Sequence, residues 1–387
     1  MNIIYALSGE GRGHGSLARA ILPVLQRAGH NVKVVTYGQS IGQLADYDLI
    51  PIKGIKHYYD GEGRLSLSKS LLRNLGVLAY YATGWKGLRR QFAAFSPDVL
   101  IVNFEPFAPL IARSLKVPIV SFDNQHALLY FHLPVPKGGR WSAWITKTAI
   151  KLVVRRAEHY VIMALAPSAA QDRQVHVVPP VVQDEFRQLA PRVGSKVLVY
   201  LKRPNGRFLE ILKRTDQQFL VYGYNTAAVD GNLTYRVFSD RMPEELSACK
   251  AVMGTAGMSL MSEAVWLKKP FFGIPLKNEF EQMWNAVLIR QSNFGDFSEE
   301  PTKAAVDHFF QRMNEYRRSL EDYRFDPDAA GKKLLELIEG IRGQRTNELA
   351  ARDLCARRLS ADLPRAIVIA GVRLVTPVTS RFLSPPG

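Results

Sequence analysis

Short apolar runs alternate with amphipathic stretches through the first half of the chain. MNIIYAL (1–7), HNVKVVTY (30–37), DVLIVNF (98–104) and VPIVSFD (117–123) have the length and β-branched content of strands. GSLARAILPVLQRAG has helical spacing and ends on Gly29, which suits a helix C-terminus. Strand, helix, strand in repetition predicts a parallel sheet with helices on both faces. The pattern then breaks. Residues 163–194 are rich in Pro, Ala and polar side chains, and the Val-Val-Pro-Pro-Val-Val run cannot lie inside a central strand. Alternation restarts with KVLVYL, QFLVYGY, LTYRVFS, KAVMG and KPFFGIPL, five further strands.

The expected fold class is therefore α/β, with two tandem Rossmann-like, doubly wound domains and a cleft between them. The expected layout is a first domain over 1–165, a link over 166–193, a second domain over 194–340 and a tail over 341–387. The tail is arginine-rich and lysine-free and ends in Pro-Pro-Gly, which suits a disordered end or a basic, membrane-associated appendage. No sequence repeat points to a solenoid.

Composition adds little until charge is considered. The chain has 387 residues, 47% of them hydrophobic and 22% charged, ordinary values for a globular protein with sizeable cores. Two cysteines, Cys249 and Cys355, exclude a disulfide framework and a structural zinc site. The N-terminus has no basic stretch ahead of its apolar run and reads as a strand, not a signal peptide. No apolar run reaches the length of a membrane span, so a cytoplasmic protein is expected. A net charge of +16 suits an anionic partner: nucleic acid, a membrane face or a phosphorylated ligand. No module mixing aromatic and basic residues in the manner of a nucleic-acid binder is present, so nucleic acid is set aside.

Two glycine-rich turns carry the candidate chemistry. The first, LSGEGRGHGSLARAI (7–21), places Gly9, Gly11 and Gly13 between a strand and a helix. A dinucleotide fingerprint would need a glycine where His14 stands and an acid after the second strand, where VVTYGQ has none. There is no P-loop lysine either. A histidine beyond the carboxyl end of a first strand can take a proton at neutral pH, and Glu10 is the alternative base. His14 as a mere helix cap is the competing reading.

The second turn lies in MGTAGMSLMSEAVWLKKPFFGIPLKNEFEQMWNA (253–286). A strand is expected to end at Gly254 and a helix to begin near Met258. The turn of Thr255, Ala256 and Gly257 would present free amides and a helix dipole to a diphosphate, with Ser259 adding a hydroxyl. Glu263, about two turns into the helix, could accept two ribose hydroxyls. Glu281 and Gln282 could hold a sugar. Lys202, Arg203 and Arg207, after the first strand of the second half, supply positive charge for a leaving diphosphate, or are simply solvated.

These residues resemble the donor-binding segment of the B-type (GT-B) glycosyltransferases. They are most similar to the family 28, MurG-like UDP-sugar transferases. Gly257, Glu263, Pro275, Glu281, Gln282, Asn285 and Ala286 match the family spacing. Phe238 and Ser239 match the segment that stacks and hydrogen-bonds the base, and Met242 follows them. His14 matches the conspicuous histidine of the acceptor-side loop, with Gly11 and Gly13 on the phosphate. Two departures stand out: Ala256-Gly257 replaces Ser-Gly or Gly-Gly, and Glu281-Gln282 replaces Gln-Gln or Asp-Gln.

The resemblance implies an inverting, metal-independent transferase that moves a sugar from a UDP-linked donor to a lipid-linked or glycan acceptor. The nucleotide sugar is a substrate and no cofactor is implied. A nucleotide-sugar 2-epimerase of the same fold and a non-catalytic nucleotide-sugar-binding protein are the alternatives.

Other constellations carry less. Asp46 and Asp48, and Asp326 and Asp328, fit an Asp-x-Asp metal motif by letter only. His126 and His132 lie after the strand carrying Asp123, in a stretch expected to face the acceptor. The stretch around Trp85, Lys86, Arg89 and Arg90 suits either a core helix or contact with the inner face of the cell membrane. The second alternative fits a peripheral enzyme of the cell-envelope glycan.

Overall fold

The computed structural model describes residues 1–361 apart from 12, 57, 59–66, 132–139, 155, 166–171, 240 and 278. The chain divides into a body, Met1–Ile338, and a second unit, Glu339–Gly387.

The first half of the body opens with β1 (Asn2–Leu7), α1 (Gly13–Arg27), β2 (Asn31–Thr36), α2 (Gln39–Gln43), β3 (Leu49–Pro51) and α3 (Leu67–Phe95). It continues with β4 (Val99–Asn103), α4 (Ala108–Ser114), β5 (Ile119–Asp123), α5 (Ala127–Tyr130), α6 (Arg140–Val153), β6 (His159–Met163) and β7 (Val175–Val178). The seven strands form one sheet in the order β3-β2-β1-β4-β5-β6-β7. Every neighbouring pair is parallel. The central strands are buried on both faces, as Ile3 to Leu7 and Val99 to Val102 illustrate. Such strands read as continuous apolar runs, which is why the sequence announced them.

The second half runs α7 (Asp184–Arg187), β8 (Lys196–Tyr200), α8 (Gly206–Lys213), β9 (Gln218–Tyr222), β10 (Ala228–Asp230), β11 (Leu233–Tyr235), α9 (Met242–Ala248) and β12 (Ala251–Gly254). After these come α10 (Met258–Trp266), β13 (Phe271–Gly273), α11 (Phe280–Gln291), β14 (Gly295–Phe297), α12 (Lys303–Gln311), α13 (Met313–Asp322) and α14 (Ala329–Ala361). The sheet order is β10-β11-β9-β8-β12-β13-β14, with β10–β11 antiparallel. The fold is α/β with two Rossmann-like sheets, as the periodicity predicts.

The differences are local. Strands β3, β7, β10 and β14 escape the apolar pattern because each is short and lies at a sheet edge, whereas β6 is an apolar run that was not anticipated. Part of the segment read as a link, Val175–Val178, forms the edge strand β7, and Pro179-Pro180 follows it where no ladder partner is needed. The stretch 126–160 holds α5, α6 and the start of β6.

Helix α3 packs on the first core over part of its length, as the core reading expects. Tyr81, Leu88 and Phe92 are buried in the first core, whereas Leu72, Leu75 and Leu78 are exposed. Residues 341–361 of the expected tail continue α14 as helix, and 362–387 lie outside the described residues.

Helix α11 is shared between the two halves of the body. Phe280, Trp284 and Leu288 of α11 are part of the first sheet's hydrophobic core, and the Phe131 and Trp284 rings lie 5.9 Å apart.

Candidate active site

In each sheet the strand order reverses at one point, and loops leaving the two strands there part company to leave a crevice. In the first sheet this point lies between β1 and β4. The chain leaves β1 into the glycine loop, which is shaped by its own surroundings. A Cβ on Gly9 would stand 1.7 Å from the Tyr37 carbonyl oxygen, so only glycine fits. Gly11 has φ +75°, a left-handed conformation that glycine adopts without strain. Helix α1 then starts at Gly13.

His14, in its first turn, is bonded through Nδ1 to Asn103 Oδ1, at the end of β4. Asn103 is buried, and its Nδ2 donates to Phe122 O at 2.6 Å. The amide oxygen is thereby turned to His14. An amide oxygen can only accept, so Nδ1 carries a proton, and in the neutral ring Nε2 holds the lone pair. That is the tautomer a general base requires. Glu10 is half-buried, and its backbone N–H donates to Ser8 Oγ at 3.4 Å.

In the second sheet the reversal lies between β8 and β12. Strand β12 ends at Gly254 and α10 begins at Met258, as expected from sequence. Gly257 N–H closes a tight turn on Thr255 O at 2.7 Å, and Asn285 Nδ2 holds Ala256 O at 3.0 Å. Met261 N–H bonds to Gly257 O, so the amides ahead of it have no intrahelical acceptor. Thr255 Oγ1 accepts from Lys202 N–H at 3.0 Å, tying the two strand ends together.

These two crevices face one another. A Cβ built on Gly13 would lie 3.3 Å from Ser259 Oγ, and one on Gly11 would lie 3.7 Å from Lys202 Nζ. The N-termini of α1 and α10 thus converge beside a lysine. Two helix dipoles and an ammonium make a strongly anion-favouring position.

Two carboxyls lie on α10 and α11. Glu263 is buried, with Gln183 Nε2 donating to it at 3.3 Å. Burial pushes its pKa up to about 8, with the Glu185 charge adding to the rise. A buried carboxyl with one amide partner keeps acceptor capacity for sugar hydroxyls. Glu281, half-buried, takes Asn124 Nδ2 on Oε1 at 2.9 Å and Gln125 Nε2 on Oε2 at 3.0 Å. Burial raises its pKa, while the two amides oppose that rise.

A family model for glycosyl transferase family 1 matches residues 1–314. The chain belongs to this family: it is a glycosyltransferase. An uncharacterized glycosyltransferase of Methanosarcina mazei is 22% identical over 333 residues, covering 76% of this chain and 85% of that one. The solved structure of Arabidopsis thaliana UGT89C1 complexed with UDP-L-rhamnose has a TM-score of 0.63 at 13% identity, covering 88% of this chain and 98% of that one. MurG of Acinetobacter baumannii has a TM-score of 0.53 at 15% identity, covering 88% and 100%. Both solved structures bear on the fold alone, which is GT-B.

The other expected residues of this glycosyltransferase divide clearly. Phe238 is exposed, its ring 6.1 Å from those of Tyr200 and Tyr222. Ser239 accepts from Met242 N–H through its backbone oxygen at 3.1 Å. Met242, expected as a donor contact, is instead buried in the second core, where an unbranched apolar side chain fills space beneath α9. Gln282, expected on the sugar, is buried and accepts Leu276 N–H on Oε1 at 3.0 Å, bracing the turn into α11. Arg203 is half-buried, whereas Lys202 and Arg207 are exposed.

The letter-matched metal motifs are ion-paired. Asp46 pairs with Arg19, Asp48 with Lys33, Asp326 with Lys332 and Asp328 with Arg187. Among the described residues no group of three or more His, Cys, Asp or Glu side chains could hold a metal. His126 is buried against Asp123, and His132 lies outside the described residues.

Asn103, Asn124, Gln125 and Gln183 were not anticipated. Each is a neutral amide whose role depends on a partner 80 to 157 positions away, and no local spacing encodes that.

Proposed function

We propose that this glycosyltransferase transfers a hexose from a UDP-linked donor to a hydroxyl of a lipid-linked acceptor, with inversion and without a metal. The observation that carries the reading is the convergence of the α1 and α10 N-termini beside Lys202. That position suits a diphosphate whose charge grows as it leaves, the task a metal performs in other transferases. The uracil lies by Phe238 and Ser239, and the ribose hydroxyls donate to Glu263. The sugar hydroxyls reach Glu281. The acceptor oxygen attacks the anomeric carbon, its proton passes to His14 Nε2, and the bond to the β-phosphate oxygen breaks with its electron pair leaving on UDP.

The acceptor class is supported by the surface. Leu72, Leu75 and Leu78 are exposed on α3, which also carries exposed Arg73, Lys86, Arg89 and Arg90. Leu152 and Lys151 are exposed on α6. Apolar side chains interleaved with cations suit an anionic leaflet, where each cation contributes about 1 kcal/mol. Among the described residues no helix is long and apolar enough to cross a membrane.

Thermal melts with UDP, dTDP and a panel of nucleotide hexoses test the donor, since a ligand at about 100 times its Kd adds about 2.7 kcal/mol. UDP-hexoses are expected to stabilise most, and release of UDP on adding a polyprenyl-linked acceptor should survive EDTA. No stabilisation by any nucleotide would overturn the reading. Co-sedimentation with anionic but not neutral vesicles is expected, and equal, negligible binding to both would point to a soluble acceptor.

A further inference from the structure

The turn that ends β5 has the sequence Ser121-Phe-Asp-Asn-Gln-His126. Its two ends are locked together. Asp123 Oδ1 accepts the backbone N–H of His126 at 2.9 Å, and the ring Nδ1–H reaches Oδ1 at 2.9 Å and Oδ2 at 2.8 Å. Ser121 Oγ donates to Oδ2 at 2.8 Å. All three side chains are buried. Burial alone would raise the Asp123 pKa, but the adjacent His126 and these hydrogen bonds hold it below the ordinary value. The carboxylate is thus a fixed staple, with no freedom to leave the turn.

The two residues inside the staple, Asn124 and Gln125, are the ones that cross to the second half and take one oxygen each of Glu281. A carboxylate offers about four lone-pair sites on its two oxygens. The two amides occupy one site on each oxygen and set the plane of the group. The remaining lone pairs are left for other donors. Glu281 sits in the first turn of α11, whose Phe280 and Trp284 are anchored in the first core, so its backbone is held from the same side.

We propose that Asn124 and Gln125, stapled by Asp123 and His126, are positioning residues that orient the Glu281 carboxylate toward the donor sugar. Selectivity among donor hexoses is then set partly by a turn of the acceptor-side half. This rests on the reading of Glu281 as the sugar-binding carboxylate.

The experiment compares Kd for UDP with Kd for whichever of UDP-glucose, UDP-galactose and UDP-N-acetylglucosamine binds the wild type most tightly. The ratio isolates the sugar. Asn124→Ala/Gln125→Ala is expected to cut that ratio about tenfold, the effect of about 1.4 kcal/mol, and to leave Kd for UDP unchanged. His126→Ala, which has no hydrogen bond to Glu281 among those above, should lower the ratio in the same direction. A ratio unchanged in the double variant but lost in Glu281→Gln overturns the positioning role alone. A ratio unchanged in Glu281→Gln overturns the sugar role of Glu281 itself.

A carbon-detected titration of the Glu281 carboxyl in the ligand-free protein separates the two further. Removal of the amides should move its midpoint to higher pH. An unmoved midpoint means that the amides do not act on Glu281.

Discussion

The two glycine turns occupy equivalent places in two similar sheets, yet their glycines answer to different neighbours. In the first, Gly9 is imposed by the protein's own backbone, since a methyl group there would collide with the Tyr37 carbonyl. In the second, Gly257 has φ −83° and ψ 139°, and a Cβ would find only Thr255 O, 4.0 Å away. Nothing in the polypeptide requires glycine at that position. Open space before a helix N-terminus is what an incoming phosphate needs. The first turn is a rigid mount for a polar side chain, and the second, on the proposed function, is a seat for a phosphate.

The largest effect is expected at His14. As the mounted base it should contribute about 10²–10⁴-fold in rate, so His14→Ala should cut turnover by that order with donor Kd nearly unchanged. Unaltered turnover would leave His14 as a helix cap and shift the search to Glu10.

In the seat, Glu263→Ala should weaken UDP by about 1–3 kcal/mol, the usual cost of leaving a buried hydrogen-bonding partner unsatisfied. Calorimetry reads this directly, and an unchanged Kd would remove Glu263 from the ribose.

The glycines give an intermediate effect of opposite kind. Gly9→Ala should destabilise the fold by about 1–3 kcal/mol, as overpacking does. Gly257→Ala should stay within about 0.5 kcal/mol in the melt while weakening UDP. Equal stability losses would erase the distinction between mount and seat.

The most gradual effect is on pH dependence. Burial raises the folded-state pKa of Glu263 from its ordinary 4.5 to about 8. The folded state then binds more protons than the unfolded one between those values, so this group's contribution is full below 4.5 and is lost as pH rises through about 8. The slope is at most about 1.4 kcal/mol per pH unit. Ligand-free melts from pH 5 to 8 should therefore fall more steeply for the wild type than for Glu263→Gln. Glu105, buried at the start of α4 and pushed up to about 7, adds a slope of the same sign in both proteins. Identical slopes would show that Glu263 is ionised throughout.

Much of this layout was legible beforehand. The run that becomes β12, the turn at Thr255 to Gly257 and the start of α10 at Met258 follow from apolar patterning and glycine placement, both short-range properties. Short edge strands were not legible, because three residues such as Leu49–Pro51 or Gly295–Phe297 carry too little pattern to stand out from a loop. Met242 and Gln282 illustrate a second limit. Their spacing matched a donor site, but spacing does not say whether a side chain points into a cleft or into a core.

What the sequence determined by itself was the alternation of elements, the two turns at strand ends and the basic charge, since each depends on neighbours within a few residues or on simple counting. What only the tertiary structure decided was which tautomer His14 holds, through Asn103 from β4, and which amides hold Glu281, through a turn more than 150 positions away. Hydrogen bonds are short and directional. Their partners are selected by how the sheets fold back on one another, and a one-dimensional pattern carries no record of that approach.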